Sequence, residues 1–245
     1  MHEPEVLIFP KAEALAAAAA ERIAGLAAEA VAARGSCLLA LSGGSLPPHV
    51  HRLLVAEPLR ARVPWERLSL IWADERYVPF DDPDSNYLMA RQTLIDHAPI
   101  PPAQVYPVPT FSATADLAAS VYDRQLQALL AAHGGQIDIA VLGMGPDGHT
   151  ASLFPGFPQL DAPAEQLAVA VDGSPKPPPT RISLTPAALN RAATAIFLVA
   201  GADKAAKVRA ALRGPYDPRA TPAQVVRPAG GHVVWMLDAA AASNL

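Results

Sequence analysis

The stretch IDIAVLGMGPDGHTASLFPG, residues 137–156, breaks abruptly from an apolar run into a glycine-rich loop. In IDIAVL (137–142) only Asp138 is polar, and runs of this kind form strands covered on both faces. The loop that follows sets Asp147 and His149 two residues apart. Asp-Gly is among the commonest turn dipeptides, so the loop by itself reads equally well as a tight turn that contains a histidine. The fold turns on whether the same break recurs along the chain.

It does recur. EVLIF (5–9) leads into an alanine-rich helical segment spanning about 12–33, and CLLALS (37–42) leads into SGGSLPP and the helical PHVHRLLV. LSLIWA (68–73) leads into DERYVPFDDPD and the helical SNYLMARQTLI, with Asp84 or Ser85 as N-cap. After a proline-rich connector at 99–109, ADLAASVYDRQLQALLAA repeats apolar residues at three- and four-residue steps, as a surface helix does. LAVAV (167–171), RISLT (181–185), TAIFLVA (194–200) and HVVWML (232–237) are further strand candidates, and a helix is expected from Asp203 to Leu212. This alternation predicts an α/β fold, a mainly parallel, Rossmann-like sheet flanked by helices. No internal repeat or long flexible linker divides the chain, so residues 1–245 read as a single domain. The proline cluster SPKPPPT (174–180) reads as a rigid connector.

With 51% hydrophobic and 17% charged residues, the chain has the make-up of a compact globular protein rather than a disordered one. Cys37 is its single cysteine, which excludes an intramolecular disulfide and, inside CLLALS, reads as a small buried hydrophobe. The N-terminus MHEPEV is acidic and unlike a signal peptide, and no apolar stretch nears the ~20 residues that span a bilayer. A cytoplasmic protein with no membrane partner is expected. The net charge is −4 and no run is dominated by Lys and Arg, so no nucleic-acid partner is expected either. Nothing in the sequence fixes the oligomeric state; a monomer is the working expectation.

Four polar segments each follow an apolar run directly: SGGS, DER, GMGPDGH and GADK. If the runs are parallel strands of one sheet, all four segments emerge at the carboxyl edge, where open α/β sheets bind ligands. Ser42, Gly43, Gly44 and Ser45 then form a glycine-rich turn into a helix, with free amides suited to an anion such as phosphate; the plain alternative is a capped βα turn. Lys204 by itself reads as a surface lysine, but beside SGGS it adds a point charge to a phosphate, where a charge-assisted hydrogen bond contributes roughly 1.5–3 kcal/mol. Lys207 is expected to face solvent. Arg76 follows Asp74 and Glu75 and has a local salt bridge as its plain role, although its place just past a buried strand favours a substrate. Arg181 reaches the cleft only if RISLT runs opposite to its neighbours or the connector folds back.

Among the histidines, His2, His49, His51, His97 and His133 show no partner in the sequence, and His232 opens a late strand in a structural role. His149 differs, because Asp147 is close enough to accept its ring proton and leave the other nitrogen as a base. Such a base contributes about 10²–10⁴ in rate. No HExxH and no cysteine pair points to a metal, and no GxSxG elbow points to a serine hydrolase.

Taken together, LSGGSLP (41–47), WADERYVPFDDPDSN (72–86), GMGPDGHTASLFPG (143–156), PPTRISLT (178–185) and GADKA (201–205) resemble the 6-phosphogluconolactonase family. The resemblance implies the glucosamine-6-phosphate deaminase-like type of α/β fold. It also implies hydrolysis of a sugar-phosphate lactone, 6-phospho-D-glucono-1,5-lactone, in the oxidative pentose phosphate pathway, with no cofactor and no metal. It departs at Leu46, where the family more usually has threonine. On this resemblance, Ser42 to Ser45 with Lys204 hold the phosphate, and His149, oriented by Asp147, activates water. Arg76 and Arg181 serve the phosphate or the lactone carbonyl, and the sequence does not choose between them. The deaminases that share the fold carry a glutamate five residues beyond the loop histidine, where this chain has Phe154, and tend to have tyrosine in place of Arg76. A sugar-phosphate sensor is a third reading of the fold, but such proteins carry a basic helix-turn-helix segment that this sequence does not show.

Overall fold

The computed structural model describes residues 3–245, so His2 lies outside the described residues. Six strands form one all-parallel sheet: β1 (Glu5–Phe9), β2 (Cys37–Leu41), β3 (Leu68–Trp72), β5 (Ile137–Gly143), β8 (Ala192–Val199) and β9 (His232–Asp238), in the spatial order β1-β9-β8-β5-β2-β3. Every residue of β2 and β3 is buried, as apolar runs without alternation require. Cys37 is sealed inside β2, where burial pushes its thiol far up. Edge strand β1, by contrast, exposes Glu5 and Ile8.

Helix α1 (Ala12–Arg34) buries Leu15, Ala16, Ala19, Ala20, Ile23, Ala24 and Ala27, and its small alanines let it lie close across the sheet. Gly35, at φ +80°, ends it in the left-handed conformation that glycine adopts without strain, its N–H donated to Val31. Helix α2 (Pro47–Leu54) packs on α1 and on α3 (Asn86–Thr93). Ser85 is the N-cap of α3, its hydroxyl accepting from the Leu88 amide at 3.1 Å. Helix α4 spans Ala115–Ala132, the whole of the periodic segment. A short helix, α5 (Pro186–Leu189), stands where none was expected, and α6 (Ala205–Arg213) begins two residues later than expected, after the 3₁₀ turn Ala202–Lys204.

The main departure is a second, three-stranded antiparallel sheet, in the order β4-β7-β6. It is built from β4 (Asp74–Arg76), β6 (Ala168–Val171) and β7 (Arg181–Leu184). DER is therefore a strand and not a loop at the parallel edge. Ala73 is the pivot: its N–H is donated to Leu41 of the main sheet at 2.7 Å, and its carbonyl accepts from Leu184 of the second at 2.8 Å. The condition on Arg181 is met, since β7 runs antiparallel to both its neighbours. Helix α4 covers this second sheet through β6 and β7.

In the main sheet the chain moves outward from β2 to β3, then returns to β5 and proceeds the other way through β8 and β9. The order therefore reverses between β2 and β5, and open parallel sheets form their ligand crevice at such a switch point. The loops after β2 and β5 are SGGS and GMGPDGH. The Ser42 hydroxyl donates to the Val141 carbonyl at 2.6 Å and ties the two strand ends together at that point.

Candidate active site

A cleft of about 250 Å³ opens at this switch point. Ser42, Gly43, Gly44, Ser45, Arg76, His149, Arg181 and Lys204 all line it, so segments as far apart in sequence as Ser42 and Lys204 do meet. Asp147 stands behind His149. Asn86, Asp74, Gly145 and Lys176, which the sequence does not mark as site residues, also line the cleft. Four cationic side chains, Arg76, Lys176, Arg181 and Lys204, face one carboxylate, Asp74, in a chain whose net charge is −4. The positive field is local, as binding of a small anion requires.

In the loop after β2, Gly44 has φ +108°, a conformation that favours glycine. A Cβ at Gly43 would collide with the Asn86 side chain, so this glycine exists to admit that neighbour. Among the described residues, the amides of Gly43, Gly44, Ser45 and Leu46 donate to no protein acceptor. Four such donors above the first turn of α2 have the arrangement that suits an anion. Lys204 enters from the 3₁₀ turn after β8, and its ammonium is paired with no carboxylate.

The loop after β5 holds the imidazole tightly. His149 Nδ1 lies 2.5 Å from Asp147 Oδ1, and the same oxygen accepts the His149 amide at 3.2 Å. Burial raises the Asp147 carboxyl, but the hydrogen bonds and charge of His149 outweigh it and bring it down to about 2. An ionised carboxylate only accepts, so Nδ1 carries a proton, and in the neutral imidazole the lone pair is then on Nε2. A Cβ at Gly145 would strike the imidazole and the Asp147 carboxylate, so only glycine leaves room for the pair. Ala151, at φ +48°, stores local backbone strain in this loop. Phe154 is fully buried and packs on the imidazole with ring centres 4.6 Å apart. A ring, not a carboxylate, therefore occupies the position where the deaminases carry glutamate.

The second sheet supplies its side chains differently. Arg76 and Arg181 are Cα partners in the β4–β7 ladder, and directly paired residues of antiparallel strands project from one face. Asp74, two residues before Arg76, shares that face and lies 3.8 Å from Arg181 Nη1, which offsets the repulsion of two paired cations. Arg181 is 5% exposed and pinned: it donates to the carbonyls of Pro178 at 3.2 Å, Lys176 at 3.1 Å and Pro177 at 3.4 Å, and to Ser152 Oγ at 3.5 Å. Arg76 makes no ion pair with Asp74 or Glu75; Nη1 donates to the Asp84 carbonyl at 2.6 Å, and Nε is buried with no partner. Its guanidinium therefore lines the cleft with no carboxylate partner.

Glu75 points to the opposite face and is 1% exposed. Its carboxylate accepts the amides of Arg76, Asn86 and Tyr87, each at 2.7 Å, and so seats the first turn of α3. Burial pushes this carboxyl up to about 7 against the pull of those amides, with the Asp74 charge adding to the rise. The anchored turn sets Asn86 in place, with Nδ2 donating to the Asp74 carbonyl at 2.9 Å.

Lys207 does lie at the exposed surface, where its ammonium also donates to the Ala220 carbonyl at 2.8 Å. Several expectations require correction. His51 is buried against Thr93 Oγ1 at 2.8 Å, and burial lowers it to about 4. His97 and His133 bond the carbonyls of Gln92 and Leu129, so these histidines have partners that the sequence did not reveal. No helix among the described residues is long and apolar enough to cross a membrane.

Residues 10–235 match the family model described as glucosamine-6-phosphate isomerases/6-phosphogluconolactonase. The 6-phosphogluconolactonase of Mycobacterium tuberculosis is 41% identical over 249 residues, covering 97% of each chain. The solved structure of 6-phosphogluconolactonase from Trypanosoma brucei superimposes with a TM-score of 0.88 at 31% identity, over 100% of both chains. A monomeric glucosamine-6-phosphate deaminase, 20% identical, superimposes with a TM-score of 0.83 over 98% of this chain and 100% of its own, a likeness of fold alone.

Proposed function

The chain belongs to the glucosamine-6-phosphate isomerase/6-phosphogluconolactonase family, and from that premise we propose that it hydrolyses 6-phospho-D-glucono-1,5-lactone to 6-phosphogluconate in the oxidative pentose phosphate pathway. The observation that carries the mechanism is the imidazole of His149, held through Nδ1 by Asp147 and lining the same cleft as four free amides.

In this reading the substrate phosphate rests on the amides of Gly43 to Leu46, flanked by the serine hydroxyls and by Lys204. The lactone carbonyl lies toward His149. Nε2 takes a proton from water as its oxygen bonds to C1, and the carbonyl electrons move onto the oxygen. The Arg76 guanidinium, which lines the cleft, offsets the new negative charge, and a positioned donor of this kind is worth about 10²–10³ in rate. Collapse of the intermediate breaks the bond from C1 to the ring oxygen, and His149 returns its proton to that oxygen. The Asp147 carboxylate keeps the imidazolium in register throughout. Arg181 adds a fixed positive charge. The steps need water, a base and cations, and no cofactor. The single unpaired thiol, Cys37, suits a reducing cytoplasm.

The test is to form the lactone in situ by oxidising glucose 6-phosphate and to follow its decay with and without the protein. Faster decay supports the assignment. Unchanged decay, together with ammonia release from glucosamine 6-phosphate, would replace it with the deaminase.

A further inference from the structure

The turn that carries Lys204 starts at Gly201, whose φ of +107° favours glycine. A Cβ at Gly201 would lie 2.6 Å from Asp203 Oδ1. The Gly201 carbonyl accepts the Lys204 amide at 3.2 Å and closes the turn. The orientation of Gly201 therefore sets that of the lysine backbone. What fixes Gly201 lies outside the cleft. Strands β8 and β9 end side by side, with Val199 paired to Leu237. Asp238, the next residue of β9, is 9% exposed and turns its carboxylate to the Gly201 amide, which lies 3.1 Å from Oδ1 and 3.2 Å from Oδ2. Oδ1 also accepts the Ala241 amide at 2.7 Å. Among the described residues no cation pairs with this carboxylate.

We infer that Asp238 is a positioning residue for Lys204: by holding the Gly201 amide, it sets the turn that delivers the ammonium to the substrate's phosphoryl group. Asp238 is not among the residues that line the cleft, so it acts from behind, through the end of β8. This rests on the lactonase reading of the cleft.

The plainer role for Asp238 is to cap the turn that folds the chain back after β9. Two physical points weigh against that role alone. A cap needs one acceptor, and a serine, threonine or asparagine oxygen supplies it as well as a carboxylate does. Two acceptor oxygens with no donor are needed only because the Gly201 amide, 37 residues earlier, is held as well. The tail also has other anchors: Ala241 is fully buried, and Arg209 of α6 donates to the Asn244 carbonyl at 2.9 Å. A buried carboxylate met by backbone amides alone is costly to desolvate, and a tail held elsewhere gives no reason for it. Fixing a binding residue through its neighbours does give one.

The experiment compares wild type, Asp238→Asn, Lys204→Ala and the double variant. Each is measured by steady-state kinetics with the phospholactone and by calorimetric titration with 6-phosphogluconate and with inorganic phosphate. Asparagine keeps the shape and one acceptor oxygen for the Ala241 amide, but sets an NH2 donor against the Gly201 amide. The inference expects Asp238→Asn to raise KM and weaken both ligands up to about tenfold, the loss expected of Lys204 itself, with kcat nearly unchanged. In the Lys204→Ala background the same change should add little. Unchanged KM and phosphate affinity in folded Asp238→Asn would overturn the inference, as would a loss confined to kcat, or one as large without Lys204 as with it. Where Asp238→Asn does not fold, Gly201→Ala disturbs the other end of the contact and is judged by the same outcomes. A wild type that binds 6-phosphogluconate but does not hasten lactone decay would reject the lactonase reading instead, so the two failures are distinguishable.

Discussion

The two sheets equip the cleft in different ways. The six-stranded sheet contributes through loops: each apolar strand ends, and its functional residues follow within a few positions, as Ser42 to Ser45, His149 and Lys204 do. The three-stranded sheet contributes from within its strands, with Asp74 and Arg76 on β4 and Arg181 on β7 projecting from one face of a paired ladder. Loops give open backbone amides and a base that can approach substrate, whereas paired strands give cations whose spacing is set by the register. In the proposed mechanism, binding amides and proton transfer fall to the parallel edge, and fixed charge to the antiparallel wall.

The strongest test of that division is His149→Asn, which removes the base while preserving shape. It should lower kcat by about 10²–10⁴ with KM little changed, measured as lactone decay above the spontaneous rate. Arg76→Gln comes next, with an expected kcat loss of about 10²; a change in KM alone would move Arg76 from the reacting carbonyl to the phosphate and blur the contrast. Lys204→Ala should raise KM about tenfold and spare kcat, as expected of a residue that only binds.

The smallest effect concerns Glu75, on the hidden face of the second sheet. Its folded pKa is raised from 4.5 to about 7, so between those values the folded state keeps a proton that the unfolded chain has lost. Stability must therefore fall as pH rises through this window. In Glu75→Gln that component of the slope should vanish in denaturant titrations at pH 5 and pH 7.5. Equal slopes in the two proteins would mean that the three amides hold Glu75 ionised throughout.

Legibility from sequence follows the same division. Strands β2, β3, β5, β8 and β9 are apolar runs, so their ends and the polar loops beyond them stand out, and the convergence of four segments was readable from that alone. Strand β4 is three residues long and wholly polar, with no periodicity to mark it, so DER read as a loop. Its pairing with β7 is set by Ala73, an alanine that bridges two sheets and carries no sequence signal. Asn86 closes the motif at 72–86 but carries no sequence mark of a site role, because its contact with Gly43 depends on Glu75 seating α3. Lys176 was hidden by its prolines, which signal stiffness but not direction. Asp147 and His149, two residues apart in a glycine loop, were legible because their partnership is local.

The central claim is that one cleft holds the phosphate on the β2 loop and presents the carbonyl carbon to His149. A crystal structure with 6-phosphogluconate bound tests it most directly. The account predicts phosphate oxygens on the amides of Gly43 to Leu46 and near Lys204, with the product carboxylate beside His149 Nε2. A ligand lying the other way round, with its phosphate on His149, or bound outside this cleft, would contradict it.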